Sequence, residues 1–334
     1  MTAKGIVDIR ATAHHGRDRR AQEAERLATK RRLFLILNGK SAPREDVRLA
    51  VARVRDAGHE VLVRVTYEPQ DVARFVGEAL CAQPRPDVIV AGGGDGTLNQ
   101  VVAALLAADA GPDDVAVGVL PLGTANDFAA GLALPAEDPA AALAICAEGE
   151  IRTIDAARVN ERVFINLATG GTVTQITREA DPRAKRLLGG AAYLVAGASH
   201  IGRLSPSKAR FSADGFSWEG DFLAMAIGNG RLAGGGVALC PEARLDDGLL
   251  DLSLFPQPDA DHVLGLLSRM LSETEAPLES YAETARFSSL TVESDAQLSL
   301  NLDGEPMSAD RLKVEVLPGA IRFVTGAAPE GLLT

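Results

Sequence analysis

The chain has little of what staples small or metal-built proteins together. Three cysteines stand in 334 residues, Cys81, Cys146 and Cys240, far apart and without C-x-x-C spacing, which leaves neither a disulfide framework nor a cysteine zinc site. A reducing, cytoplasmic setting fits that usage. Long uncharged apolar runs are also lacking. None approaches the roughly 18 residues that span a bilayer, so no transmembrane segment is expected, and the first residues lack the apolar stretch of a secretory signal. Any lipid is expected to be met from the aqueous side, by transient, peripheral contact with a membrane surface. Positive charge is scarce: 34 Lys and Arg face 45 Asp and Glu, a net charge of -11. An acidic body argues against nucleic acid as a partner.

What basic charge there is gathers at one end, where residues 1–32 hold nine Lys or Arg against four Asp or Glu. Two readings stay open for this extension, a basic arm for anionic membrane or a frayed terminus. The rest of the chain, in a protein 46% hydrophobic and 24% charged, is long enough to bury a sizeable core and suggests two domains. Oligomeric state has no signature in it.

Regular structure is expected to begin at "LFLILN" (33–38), followed by a helical pattern through "APREDVRLAVARVRDAG". "EVLVRVT" (60–66) alternates like a strand, "PQDVARFVGEAL" opens a helix with Pro near its start, and "DVIVA" (87–91) is a buried strand. Then come a helix at "TLNQVVAALLAADA", a strand at "VAVGVLP" and a helix at "TANDFAAGLAL". Alternating strands and helices over 33–150 predict an α/β domain with a parallel sheet covered on both faces. After residue 150 short alternating runs separated by Asn, Gly and Asp take over, from "IRTIDAARVNERVFINLAT" to "RLKVEVLPG" and "AIRFVTG". These predict antiparallel strands in a β-rich domain over 151–325, with helices at 183–201 and 260–271. No repeat of solenoid period is visible.

The chemistry gathers around "AGGGDGTLNQ" (91–100), a glycine-rich stretch between a strand and a helix. Open α/β sheets place ligands at the carboxyl ends of their strands, and amide N–H groups at a helix N-terminus attract phosphate. The glycines allow a phosphate to approach the backbone, and Gly94 is expected at positive φ. Neither the G-x-G-x-x-G of dinucleotide folds nor a Walker loop fits "GGGDGT". Asp95 is then the odd residue. A carboxylate beside phosphate is repulsive unless a cation such as Mg²⁺ lies between them or the acid has another polar partner. The alternative is that Asp95 merely makes a turn. A second junction, "LPLGTANDFA" (120–129), sets Gly123, Thr124, Asn126 and Asp127 at the end of the neighbouring strand. Lys40, in "NGK", is the nearest candidate to neutralise phosphate, or is an exposed loop lysine.

"GGGDGTLN" followed some twenty residues later by "PLGTANDFA" resembles the diacylglycerol kinase catalytic domain, and bacterial lipid kinases of the YegS type in particular. "LILNGKSA" (35–42), "IGNGRLAGGGVALCPEARLDDGLLDL" (227–252) and "LNLDGEP" (300–306) match the group's other motifs in order. The resemblance covers about residues 33–325 and leaves the first 32 outside it. It implies an N-terminal α/β nucleotide domain, a C-terminal β-sandwich, and ATP-dependent phosphorylation of a lipid hydroxyl in the cleft between them. It implies nucleotide contacts at Thr66, Gly94, Asp95, Gly96, Thr97, Leu98, Asn99, Gln100 and Thr124. Gln100 stands where the group commonly has Glu. It also implies Mg²⁺ held by Asp247 and by the backbone carbonyls of Arg244 and Leu249, a proton acceptor at Glu305, and Asp303 in support of Glu305 or the metal. Read without relatives, "DDGLLDL" and "NLDGEP" are turns before strands.

Two rivals remain. NAD kinases share a Gly-Gly-Asp-Gly loop on a similar domain, and a nucleotide-binding regulator without catalysis would keep the loop for another end. Nothing in the sequence separates diacylglycerol, phosphatidylglycerol or a sphingoid base as substrate.

Overall fold

The computed structural model describes residues 30–108, 115–171, 206–257, 282–327 and 331–333. The basic extension, up to residue 29, and the helices expected at 183–201 and 260–271 lie outside the described residues.

The first unit alternates strand and helix: β1 (Arg32–Asn38), α1 (Glu45–Asp56), β2 (Glu60–Thr66), α2 (Asp71–Cys81), β3 (Val88–Gly93), α3 (Asp95–Ala107), β4 (Ala116–Pro121), α4 (Asp127–Gly131) and α5 (Pro139–Glu148). The four strands are parallel, in the order β4-β3-β1-β2. β3 and β4 are buried at every position, which is why they read as continuous apolar runs rather than alternating ones. α1 turns Val47, Ala50, Val51 and Val54 inward, the helical spacing of one apolar face. α5 starts at Pro139 and is capped by Asp138, whose Oδ1 accepts from the N–H groups of Ala140 and Ala141. The helix expected over "TANDFAAGLAL" is shorter than its apolar pattern suggests. Asn126 and Ala133 adopt left-handed φ of 51° and 52° and bracket α4 at five residues.

The second unit is antiparallel: β5 (Glu150–Val159), β6 (Arg162–Phe164), β7 (Leu167–Gly170), β8 (Ser207–Ala213), β9 (Phe216–Gly228), β10 (Leu232–Ala233), β11 (Val237–Ala238), β12 (Leu250–Pro256), β13 (Glu283–Phe287), β14 (Ser289–Leu302) and β15 (Glu305–Thr325). Its strands close around one core that includes Phe164, Phe211, Phe222, Leu252, Leu300 and Val314. "RLKVEVLPG" and "AIRFVTG", expected as two strands, form one. β15 is 21 residues long and bends between Leu317 and Ile321, where Gly319 takes a φ of 59°.

That bend joins the two units. Beyond it, Phe323 pairs in parallel with Val117 of β4, and Ile321 and Phe323 enter the core beneath β3 and β4 together with Ile154 and Ala156 of β5. Phe323 meets Phe128 edge to face, with centroids 5.2 Å apart. The division placed at residue 150 from sequence texture is thus crossed by the end of the chain, which returns to finish the first sheet. Among the described residues no helix is long and apolar enough to cross a membrane.

Candidate active site

Parallel strands end at one rim, and the register fixes which residues meet there. Asn38 pairs with Thr66, Leu37 with Gly92, and Gly93 with Pro121. The loops after β1, β2, β3 and β4 therefore converge: Lys40 after the first, Thr66 at the end of the second, Gly94–Gly96 after the third, Gly123 and Thr124 after the fourth. A Cβ on Gly39 would run into the carbonyl oxygen of Thr66, so the loop carrying Lys40 lies flat against the end of β2. Lys40 and Thr124 are exposed, and Thr66 is half-buried.

The glycine loop and the second junction touch through bare backbone. Gly94 has a φ of -93° and ψ of -169°, an ordinary extended geometry rather than the positive φ expected. Its glycine is required by approach instead: a Cβ there would stand 3.1 Å from Cα of Gly123. Gly94→Val should therefore push the two junctions apart. The expected result is ATP affinity at least about tenfold weaker with the fold retained, since a close contact of this kind costs on the order of 1–3 kcal/mol. Calorimetric titration with ATP checks it, and unchanged affinity would remove the loop from the nucleotide site.

Asp95 has found the polar partner that its position demands. One carboxylate oxygen accepts the N–H of Asp127 at 3.2 Å and the other that of Phe128 at 3.1 Å, so Asp95 caps α4 across the junction. Burial pushes its pKa up, and the neighbouring Asp127 carboxylate adds to the shift. Each oxygen keeps a further lone pair, so Asp95 fits a phosphate-bound cation while clamping the two loops. Asp127 continues the chain of contacts. Its Oδ1 accepts from Gly235 and Gly236 at 2.8 and 2.9 Å, in the turn between β10 and β11 of the second unit. Sequence reasoning gave Asp127 no such role; its signal was an acid after Asn126 opposite a triple glycine.

The helix that follows the loop divides its residues. α3 has no side-chain cap at Gly94; the Thr97 N–H is taken by the Gly94 carbonyl at 3.0 Å, so the donors left for a ligand lie ahead of Thr97. Gly96 faces the second unit: a Cβ there would lie 3.8 Å from Oε1 of Glu305. Thr97 folds its hydroxyl back over Gly93. Leu98 is 1% exposed and packs in the core, so only its backbone can face a nucleotide. Asn99 is buried and turned to the second unit, donating through Nδ2 to the carbonyl of Val163 and to Asp303 Oδ2. Its side chain therefore serves the domain junction rather than a phosphate. Gln100 is exposed one turn along.

Asp303 and Gly304, with φ of 48° and 98°, make the tight turn between β14 and β15, and Leu302 pairs with Glu305 across it. Asp303 points inward. Its carboxylate accepts four N–H groups, from Ile165 at 2.6 Å, Leu167 and Asn99 at 2.9 Å and Asn166 at 3.1 Å. Burial raises its pKa to about 6 and the four donors hold it from rising further, so it is ionised at neutral pH. With four donors aimed at it, Asp303 positions the turn. Glu305, two residues on, is partly exposed and reaches the glycine loop. Asp155, absent from the expected set, ties in the loop ahead of β12 by accepting from Gly248 and Gly319.

Residues 32–159 match the family of diacylglycerol kinase catalytic domains, and residues 168–325 match the YegS C-terminal NAD kinase beta sandwich-like domain. A Pseudomonas aeruginosa protein named "Probable lipid kinase YegS-like" is 47% identical over 293 residues, 88% of this chain and 94% of its own. The chain belongs to the YegS-like family. A relative of the same name from Stenotrophomonas maltophilia is 44% identical, over 86% of this chain and 94% of its own. A diacylglycerol kinase crystal structure from Bacillus anthracis shares the fold, with a TM-score of 0.69 at 20% identity, over 89% of this chain and 97% of that one.

One part of the YegS-like pattern is arranged differently from expectation. Arg244, Asp247 and Leu249 were to hold Mg²⁺, but Asp247 already faces a positive charge, the guanidinium of Arg286. Oδ1 accepts the Leu249 N–H at 3.1 Å, and Oδ2 takes the guanidinium of Arg286. A divalent ion cannot share that oxygen with a guanidinium without displacing it, so these residues as arranged do not fit a metal ion.

Proposed function

We propose that this chain is an ATP-dependent lipid kinase, which transfers the γ-phosphate of ATP to a hydroxyl of a lipid such as diacylglycerol or phosphatidylglycerol. The observation that carries the reading is the approach of Glu305 to Gly96, which sets a carboxylate from the second unit against the phosphate-binding loop of the first. Amides of residues 94–96 would cradle the phosphates, with Thr66, Lys40 and Thr124 along the nucleotide. Magnesium, entering as the counter-ion of ATP beside Asp95, would neutralise phosphate charge. Glu305 then accepts the proton of the lipid hydroxyl while its oxygen forms the new bond to phosphorus and ADP departs with the old one. Positioning and charge do most of this work, since phosphoryl transfer needs little covalent participation from protein.

The lipid would enter from a membrane surface, the protein resting there transiently from the cytoplasm. γ-Labelled ATP incubated with a panel of lipids in detergent micelles, and in parallel with NAD, tests the reading. Label is expected in the organic-phase lipid. Transfer to NAD instead would point to the NAD kinase alternative, and ATP binding with no transfer at all would point to a regulator.

A further inference from the structure

The loop that the family resemblance assigns to a metal meets a cation from a neighbouring strand. β12 and β13 are antiparallel, and Arg286 stands directly opposite Asp251 in their register. From there the guanidinium donates to Oδ2 of Asp247, while its Nε lies 3.5 Å from Oδ2 of Asp251. The two carboxylates are largely shielded, with side chains 15% and 11% exposed against 44% for Arg286. Oδ2 of Asp251 has no hydrogen bond, so the guanidinium is the charge that compensates it. The backbone agrees with this arrangement. The N–H groups of Gly248 and Leu249 donate to the carboxylates of Asp155 and Asp247, which leaves the guanidinium as the partner of Asp247 Oδ2.

We propose that Arg286 takes the place of the divalent ion at Asp247, pairing with both Asp247 and Asp251 and leaving the second unit independent of metal for its stability. Two shielded carboxylates this close repel each other unless a cation lies between them. Arginine suits the task because its planar fork offers two separate donor edges, is always charged and gives up hydration more readily than an ammonium. An exposed ion pair of ordinary kind would contribute little, and two shielded acids sharing one guanidinium differ from that in leaving a repulsive pair when it is removed.

Thermal melts of the nucleotide-free, full-length protein test the proposal without any readout of activity. The parent protein should melt at one temperature in EDTA, in millimolar MgCl₂ and in millimolar CaCl₂, and elemental analysis should find well under one divalent ion per chain. Arg286→Ala should melt roughly 5 °C or more lower in EDTA and regain much of the loss when either metal is added. Adding Asp247→Asn to Arg286→Ala removes the repulsion, so the double variant should melt above the single one and ignore metal. A parent protein that loses stability in EDTA and recovers with Mg²⁺ would overturn the proposal, even if Arg286→Ala yields no folded material. So would an Arg286→Ala protein whose melting temperature is unchanged, or is lowered and indifferent to metal.

Discussion

Glu305→Gln should leave a folded protein that binds ATP like the parent and has lost lipid phosphorylation by a factor of about 10² to 10⁴. The side chain sits beside the turn of a hairpin, partly exposed, where a substitution of equal size usually changes stability by no more than about 0.5 kcal/mol. Glutamine keeps the shape and an acceptor oxygen but cannot take a proton from the attacking hydroxyl. Loss of a base therefore separates from loss of structure: kcat falls while the melting temperature and the dissociation constant for ATP stay put. Near-normal turnover would mean that the base is elsewhere, and Asp95 would be the next carboxylate to try. Asp303 would not, because four N–H donors converge on it and leave no route for a substrate proton.

The strand, glycine loop and helix over residues 88–107 were legible in the sequence because their causes are local. A continuous apolar run, then glycines, then a helical pattern need no distant partner to declare themselves. The turn at Asp303-Gly304 was legible for the same reason. What those residues touch was not. Asp303 finds its donors at residues 165–167 and 99, and strand register sets Arg286 opposite Asp251, within reach of Asp247. Such partnerships depend on how β13, β14 and β15 fold against the first unit, and no periodicity encodes it. Gly94 shows the difference at one residue. Its glycine was expected for a backbone twist, a local property, and is needed for contact with Gly123, a tertiary one. Leu98 and Asn99 show it again: motif position put both beside a nucleotide, while burial turns one into the core and the other into the domain junction.

Asp303→Ala should be the most damaging single change in the second unit. It strips the acceptor from three backbone N–H groups and from Asn99, all in a buried place, and each buried donor left without a partner costs about 1–3 kcal/mol. Relaxation and entering water will reduce the sum, so a loss of about 3–5 kcal/mol is expected, a fall in melting temperature of roughly 6–15 °C. Asp303→Asn separates acceptor capacity from size. An amide of the same shape has one oxygen for four donors and turns its NH₂ toward two of them, so it should recover little of the loss. The left-handed turn tolerates Asn as well as Asp, which removes backbone strain as an alternative cause. Because Asn99 lies on the helix that opens at the glycine loop, and Glu305 follows the turn by two residues, residual folded Asp303→Asn should also show a lower kcat at unchanged ATP affinity. Melting and kinetics of the Asn variant that both match the parent would mean that the carboxylate is not the tie between the two units, and that Glu305 is positioned by the hairpin alone.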